Sequence, residues 1–336
     1  MDWRTAYSNT RVKAMKSKLL SSEQVRELFE VKTLPEVIAL LEETCYKNSF
    51  VTASTKYSGM ELVKRALDAE VAATLGKIAS MAPKKAAKAV NVVIREWEAH
   101  NASKVVTALA LGKPVGAEDL VVIGKTPDFM EKMIKATTMK QAVNALALEP
   151  SYTPFIRKAQ TQYSKEKDYR VFIEAIYLAW LTAVAEEAEK EKDLKTRALL
   201  ADYVTRINLI TVLRLKASGV PNKVIPKFLA PSENSLVKEL LEEEDFDKTV
   251  DLISSKYKLG ETAVKALKEH RLAAPAEIEL QKRHHAMLRK TLSRSVLSSA
   301  PLLAMMMLKH EETHTLRKIA YATAFQTKEE LRETLI

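Results

Sequence analysis

The chain has 336 residues, of which 7 are Gly and 1 is Cys, with 47% hydrophobic residues and a formal charge of +10 from 53 Lys and Arg against 43 Asp and Glu. Glycine stands at about 2%, against a usual level of about 7%, which excludes collagen-like, linker-rich and disordered classes and counts against β-rich folds, whose turns consume glycine. Cys45 alone permits neither an internal disulfide nor a cysteine-based zinc cluster, the opening residues lack the apolar stretch of a secretory signal, and the most apolar runs, 172–184 and 295–308, are shorter than the ~20 residues that span a bilayer.

Apolar residues recur at intervals of three and four almost throughout and alternating runs are scarce, so the sequence predicts an all-α fold. In chain order, helices are expected over 10–20, 22–29, 34–43, 59–81, 83–111, 127–136, 139–148 and 152–164. They continue over 169–191, 193–217, 221–228, 233–243, 246–257, 262–270, 274–297 and 301–325. Breakers separate many of them, among them Gly112 with Pro114, Gly124 with Pro127, Gly219 with Pro221, Pro275 and Pro301.

An internal repeat organises these helices. Asn101, Gly112 and Pro114 recur as Asn208, Gly219 and Pro221, and the same offset of 107 residues leads from Asn208 to Thr315 and from Gly219 to Gln326. A second element recurs with about the same spacing, starting at Thr33, Thr138 and Asp245, each an N-cap residue type. Length alone suggests two domains; the repeat suggests instead three helical units, 1–112, 113–219 and 220–336, of one continuous fold. Asn101 and Asn208 lie on apolar stripes, and a buried amide needs partners, so each is expected to bind a neighbouring backbone and fix where the next helix docks. Gly112 and Gly219 read as the residues that close their helices, with proline two positions on.

Most charges are mixed along the chain, but three stretches are not. The arm 4–26 and the stretch 282–294, which holds Arg283, Arg289, Lys290 and Arg294, are basic; 239–251 is acidic. An anionic partner is therefore plausible, whether nucleic acid, an acidic protein face or a membrane surface. With aromatics at 6%, a helical nucleic-acid-binding scaffold is the alternative reading and nucleic acid is not the expected partner.

One motif points to chemistry. His310-Glu311-Glu312-Thr313-His314 has the zincin spacing, two imidazoles on one helical face with a glutamate base, and Glu329, Glu330 or Glu333 could supply a third ligand. Against zinc hydrolysis, the motif falls inside the third repeat copy, whose counterparts of His310 are Glu96 and Tyr203, and the substrate-binding strand usual for zincins is missing from the pattern. No nucleophile elbow or phosphate loop occurs. Neither catalytic residues, a metal nor a cofactor is expected.

At the repeat residues the sequence resembles the C subunit of the archaeal-type (A-type, or V/A-type) ATP synthase, related to the d subunit of the vacuolar proton pump. The resemblance is carried by the opening Tyr7-Ser-Asn9-Thr-Arg11 with Leu19-Leu20, by the helices holding Asn101, Asn208 and Thr315, and by the closing Glu312-Thr-His-Thr315-Leu316-Arg317-Lys-Ile319-Ala320. That close is similar to the family's Glu-x-x-Asn-Leu-Arg-x-Ile-Ala, with Thr315 for asparagine and Gln326 for the later glycine. The resemblance implies an all-α, funnel-shaped protein of three pseudo-equivalent helical units without catalysis of its own. It implies a peripheral place on the cytoplasmic face of the membrane, capping the proteolipid ring and receiving two stalk proteins, one a coiled coil and one small and globular. Rotation driven by protons or sodium would pass through it. Arg283, Arg289, Lys290 and Arg294 are the candidates for a basic face against ring loops or lipid headgroups.

Overall fold

The structure, a computed structural model, describes residues 3–295 and 297–327. Among these residues the regular structure is entirely helical, without a strand. The chain divides into two compact units, one made of the residues through Ala87 with those from Ala274 onward, the other of Lys88–Ala273.

The first unit opens with α1 (Trp3–Met15), α2 (Ser22–Glu30), α3 (Leu34–Glu42), α4 (Lys47–Ser54) and α5 (Gly59–Met81). The second contains α6 (Ala87–Ala110), α7 (Asp128–Ile134), α8 (Met139–Leu146), α9 (Thr153–Glu166), α10 (Arg170–Lys190), α11 (Leu194–Ala217), α12 (Ser235–Glu242), α13 (Phe246–Tyr257) and α14 (Glu261–His270). The chain then completes the first unit with α15 (Ala274–Arg294) and α16 (Ala300–Phe325). After α1 the order repeats: three short helices of 7 to 14 residues, then two long ones of 21 to 26, in α2–α6, α7–α11 and α12–α16. The second short helix begins each time on a capping side chain: Thr33, Thr138 and Asp245 accept from the N–H of Glu36, Gln141 and Lys248.

In the first unit α16 packs against α15, α5, α1, α2 and α3. Its positions from Ala300 to Lys309 are all buried, the Met305–Met307 run included, as befits a helix surrounded by others. Leu316, Ile319 and Ala320 continue it into a core with Leu41, Phe50 and Leu67. In the second unit α10 pairs with α11 and α9, α7 with α8, and α11 with α12 and α13. The Trp180 indole donates to Val92 O at 3.0 Å, which ties α10 to α6.

Several boundaries differ from the sequence expectation. The first helix begins at Trp3 and not at residue 10, because the poor helix formers Ser8 and Asn9 are buried and bonded outside their own helix. The α4 helix, a run of small and β-branched residues around Phe50, carries too weak a periodicity to register. Residues 221–228 form only a 3-10 turn, Ile225–Phe228, since Pro226 lacks the N–H a longer helix needs. The helix expected to reach 297 stops at Arg294, and the connection that follows is held by Asn9 on Ser298 O.

Candidate functional site

The repeat residues close three long helices in one geometry. Gly112 and Gly219 adopt left-handed backbone with φ of 68° and 74°. Gly112 N–H reaches Leu109 O and Lys113 N–H reaches Ala108 O; Gly219 N–H reaches Lys216 O and Val220 N–H reaches Leu215 O. These pairs form the Schellman cap, which satisfies carbonyls the helix leaves open. At the third position Gln326 takes φ 59° and makes the same two bonds, to Thr323 O from its own N–H and from Thr327 N–H to Ala322 O. The cap survives the loss of glycine, with an L side chain in a backbone region that costs it energy.

The two asparagines are clamps. Asn101 donates from Nδ2 to Val121 O at 2.8 Å and accepts from Val121 N–H at 3.0 Å. Asn208 does the same with Ala230, at 2.9 and 3.1 Å. Each buried amide completes both backbone groups of one residue in the irregular segment that follows its helix. Thr315, half-buried, has a hydroxyl in place of the amide and offers no such two-bond fork; the segment at the matching distance beyond it lies outside the described residues.

Glu312 sits at the centre of a buried polar cluster that the sequence did not reveal. Its carboxylate accepts from Lys309 Nζ at 3.0 Å, from Tyr46 Oη at 2.7 Å and from the Leu20 N–H at 2.5 Å. Lys309 Nζ also lies 4.0 Å from the Tyr46 ring centroid and 3.8 Å from Cys45 Sγ. Burial, and then the Glu312 charge, push the Tyr46 hydroxyl well above its ordinary pKa, and burial raises the Cys45 thiol, so both stay protonated. Arg317 pairs with Asp68 and ties α16 to α5, while Leu316 is core. The second unit carries a counterpart: Arg95 lies 3.6 Å from Glu98 on α6 and stacks over Tyr152 at 5.7 Å. Tyr46 and Tyr152 occupy the N-cap of α4 and of α9. The signal that could have exposed the cluster is this spacing, a basic and an acidic residue three apart on a long helix with a tyrosine near the repeat offset.

Residues 8–334 match the family described as ATP synthase (C/AC39) subunit. The chain belongs to that family. The A-type ATP synthase C subunit of Thermococcus kodakarensis is 28% identical over 74% of this chain and 67% of its own length. That of Thermococcus gammatolerans is 29% identical, over 76% and 72%, and that of Pyrococcus abyssi is 25% identical, over 94% and 85%. The resemblance seen in the repeat and closing motif thus extends along nearly the whole chain.

The other predicted residues in this C/AC39 chain fall as follows. His310 and His314 share a face of α16 with ring centroids 6.2 Å apart, and Glu311 is buried. No group of three or more His, Cys, Asp or Glu placed to hold a metal ion occurs among the described residues; Glu329, Glu330 and Glu333 lie outside them. Glu96 and Tyr203, the counterparts of His310, meet each other, with Tyr203 Oη donating to Glu96 Oε1 at 3.1 Å. Burial lifts the Glu96 carboxyl to about 7, opposed by the Tyr203 hydrogen bond and the Arg206 charge. On α15, Leu280, His284, Leu288 and Leu292 turn inward, leaving Arg283, Lys290 and Arg294 exposed and Arg289 half-exposed. His285, beside them, is held to about 4 by burial and then by the charges of Arg289 and His284. No described helix is long and apolar enough to cross a membrane.

Proposed function

We propose that this chain is the central-stalk subunit of a rotary A-type or V-type ATP synthase that joins the stalk to the membrane proteolipid ring and carries torque between them. Family membership over residues 8–334 carries this reading. Its partners are the coiled-coil stalk protein, the small globular stalk protein and the ring, and its place is peripheral, on the cytoplasmic face. It has no active site of its own and serves ATP synthesis or hydrolysis coupled to proton or sodium flow.

A joint that transmits torque must not yield, and several observations support stiffness. Close-packed helices deform little under load. The long helices α6, α11 and α16 end in full hydrogen-bonded caps, and the segments after α6 and α11 are fixed by asparagine clamps. We divide the chain into three pseudo-equivalent units at Gly112 and Gly219; the recurring helix order and the Glu96–Tyr203 contact between matching positions support that division. Co-purification tests the reading. The full chain is expected to capture both stalk proteins and the detergent-solubilised ring, and capture of neither overturns it.

A further inference from the structure

Charge is distributed unevenly along this chain. Residues 3–22, 71–87 and 280–308 hold 13 of the 53 Lys and Arg and none of the 43 Asp and Glu, so the remainder has 40 against 43 and the entire positive excess resides in these segments. All three belong to the first unit, and they meet there. Ser8 Oγ donates to Met81 O at 2.5 Å, Asn9 Nδ2 to Ser298 O at 2.9 Å, and Lys16 Nζ to Ser293 Oγ at 2.9 Å. These bonds pin the middle of α1 beside the end of α5 and the connection between α15 and α16, and the residue after α1 beside the last turn of α15.

The same place carries an apolar ridge. Trp3 and Tyr7, one turn apart on the outer face of α1, are 68% and 52% exposed, and Leu297 in the connection is 58% exposed. Thr5, Ser8, Asn9 and Val12 fill the opposite face of α1, so the helix cannot roll to hide the aromatics. Arg4, Arg11, Lys84, Lys85 and Arg294 are exposed around them.

We propose that this end of the first unit docks on an anionic phospholipid surface, with Trp3 and Tyr7 entering the headgroup layer and the exposed cations of these segments facing the lipid phosphates. Tryptophan and tyrosine favour that layer because their rings are apolar with one polar edge, and lysine and arginine beside them gain from the negative surface potential. Stacking on nucleic-acid bases needs aromatics along a basic groove, whereas these stand on the outside of a helix. The inference deepens the proposed place beside the proteolipid ring, and rests on it, by naming lipid as a direct contact.

The test uses the full chain with phosphatidylcholine vesicles, with and without phosphatidylglycerol, read by cosedimentation and tryptophan emission. Trp97 and Trp180 are already buried, so an emission shift reports Trp3. The expected result is a blue shift and cosedimentation only with the anionic vesicles, weakened by salt. The W3A/Y7A variant is expected to lose cosedimentation with the anionic vesicles, and K84E/K85E to bind them about tenfold or more weakly and with a reduced Trp3 shift. Lys125→Glu with Lys132→Glu, in the second unit, is expected to bind as the parent does, with circular dichroism confirming that each variant folds. Absence of binding to anionic vesicles, equal binding to neutral ones, or undiminished binding by both first-unit variants overturns the proposal, as does displacement of vesicles by an oligonucleotide with Trp3 emission unchanged. Stalk capture by W3A/Y7A is measured in parallel: vesicle binding lost with capture retained supports the lipid surface, and a parent chain that captures the stalk without binding vesicles overturns it while leaving the stalk role standing.

Discussion

Lys309 and Glu312, one turn apart on α16, form an ion pair of 3.0 Å whose side chains are 2% and 9% exposed, closed over by the Tyr46 ring and hydroxyl. A buried pair of this kind owes its persistence to complete pairing, since either charge alone has no water to turn to. Lys309→Met is therefore expected to destabilise the protein by about 3–5 kcal/mol, because it strands the carboxylate. Replacing both, as Lys309→Met with Glu312→Gln, is expected to cost less than the single change. Urea unfolding of the three proteins checks the ordering; equal loss in both variants would show that the pairing itself carries nothing.

The asparagine clamps have a separable signature. Asn101→Ala leaves the N–H and C=O of Val121 without their partner, and Asn208→Ala does the same at Ala230. Each is expected to cost about 2–6 kcal/mol, from about 1–3 kcal/mol for each of the two buried groups left unsatisfied. Amide hydrogen exchange at Val121 and Ala230 is expected to speed up in the respective variant, and unchanged protection there would contradict the clamp.

Gln326 offers a gain in stability. With φ 59° it holds a position that its counterparts fill with glycine. Gln326→Gly is expected to stabilise by about 1 kcal/mol by relieving the left-handed side chain. Gly112→Ala is expected to destabilise by a similar amount, about 1 kcal/mol, through backbone strain alone, since an added Cβ at Gly112 meets nothing within 4 Å. Thermal melts of the two variants should move in opposite directions.

Glu96 makes stability depend on pH. Its carboxyl keeps a proton up to about 7 in the folded protein, against an ordinary 4.5. Between those values the folded state binds more protons than the unfolded one, so this group lowers stability as pH rises through that window. Glu96→Gln, which keeps a neutral partner for Tyr203, is expected to flatten that part of the stability profile and to be more stable than the parent above pH 7. A profile parallel to the parent's would contradict the assignment.

The all-α fold, most long helices and the caps at Gly112 and Gly219 were legible in the sequence because 3.6-residue periodicity, capping chemistry and a fixed 107-residue offset are local signals that repeat. Gln326 shows the limit of residue identity: its side chain argues against a glycine-type cap, yet the backbone adopts one because the register of α16 is held by Leu316, Ile319 and the Arg317–Asp68 pair. The α4 helix was hidden by weak propensity, and α1 began early because Asn9 and Ser8 find partners nearly three hundred and about seventy residues away. The Lys309–Glu312–Tyr46 cluster was invisible for the same reason, since nothing local says that Tyr46 reaches α16. In repeat register, Arg95, Glu98 and Tyr152 contain that information.

The most direct measurement is capture of partners by the full chain from purified components: the two stalk proteins on one side and the detergent-solubilised proteolipid ring on the other. Simultaneous retention of stalk and ring on the immobilised chain, with no bridging when the chain is omitted, is the expected result. Retention of neither, or bridging of stalk and ring that proceeds equally well without the chain, would contradict the account.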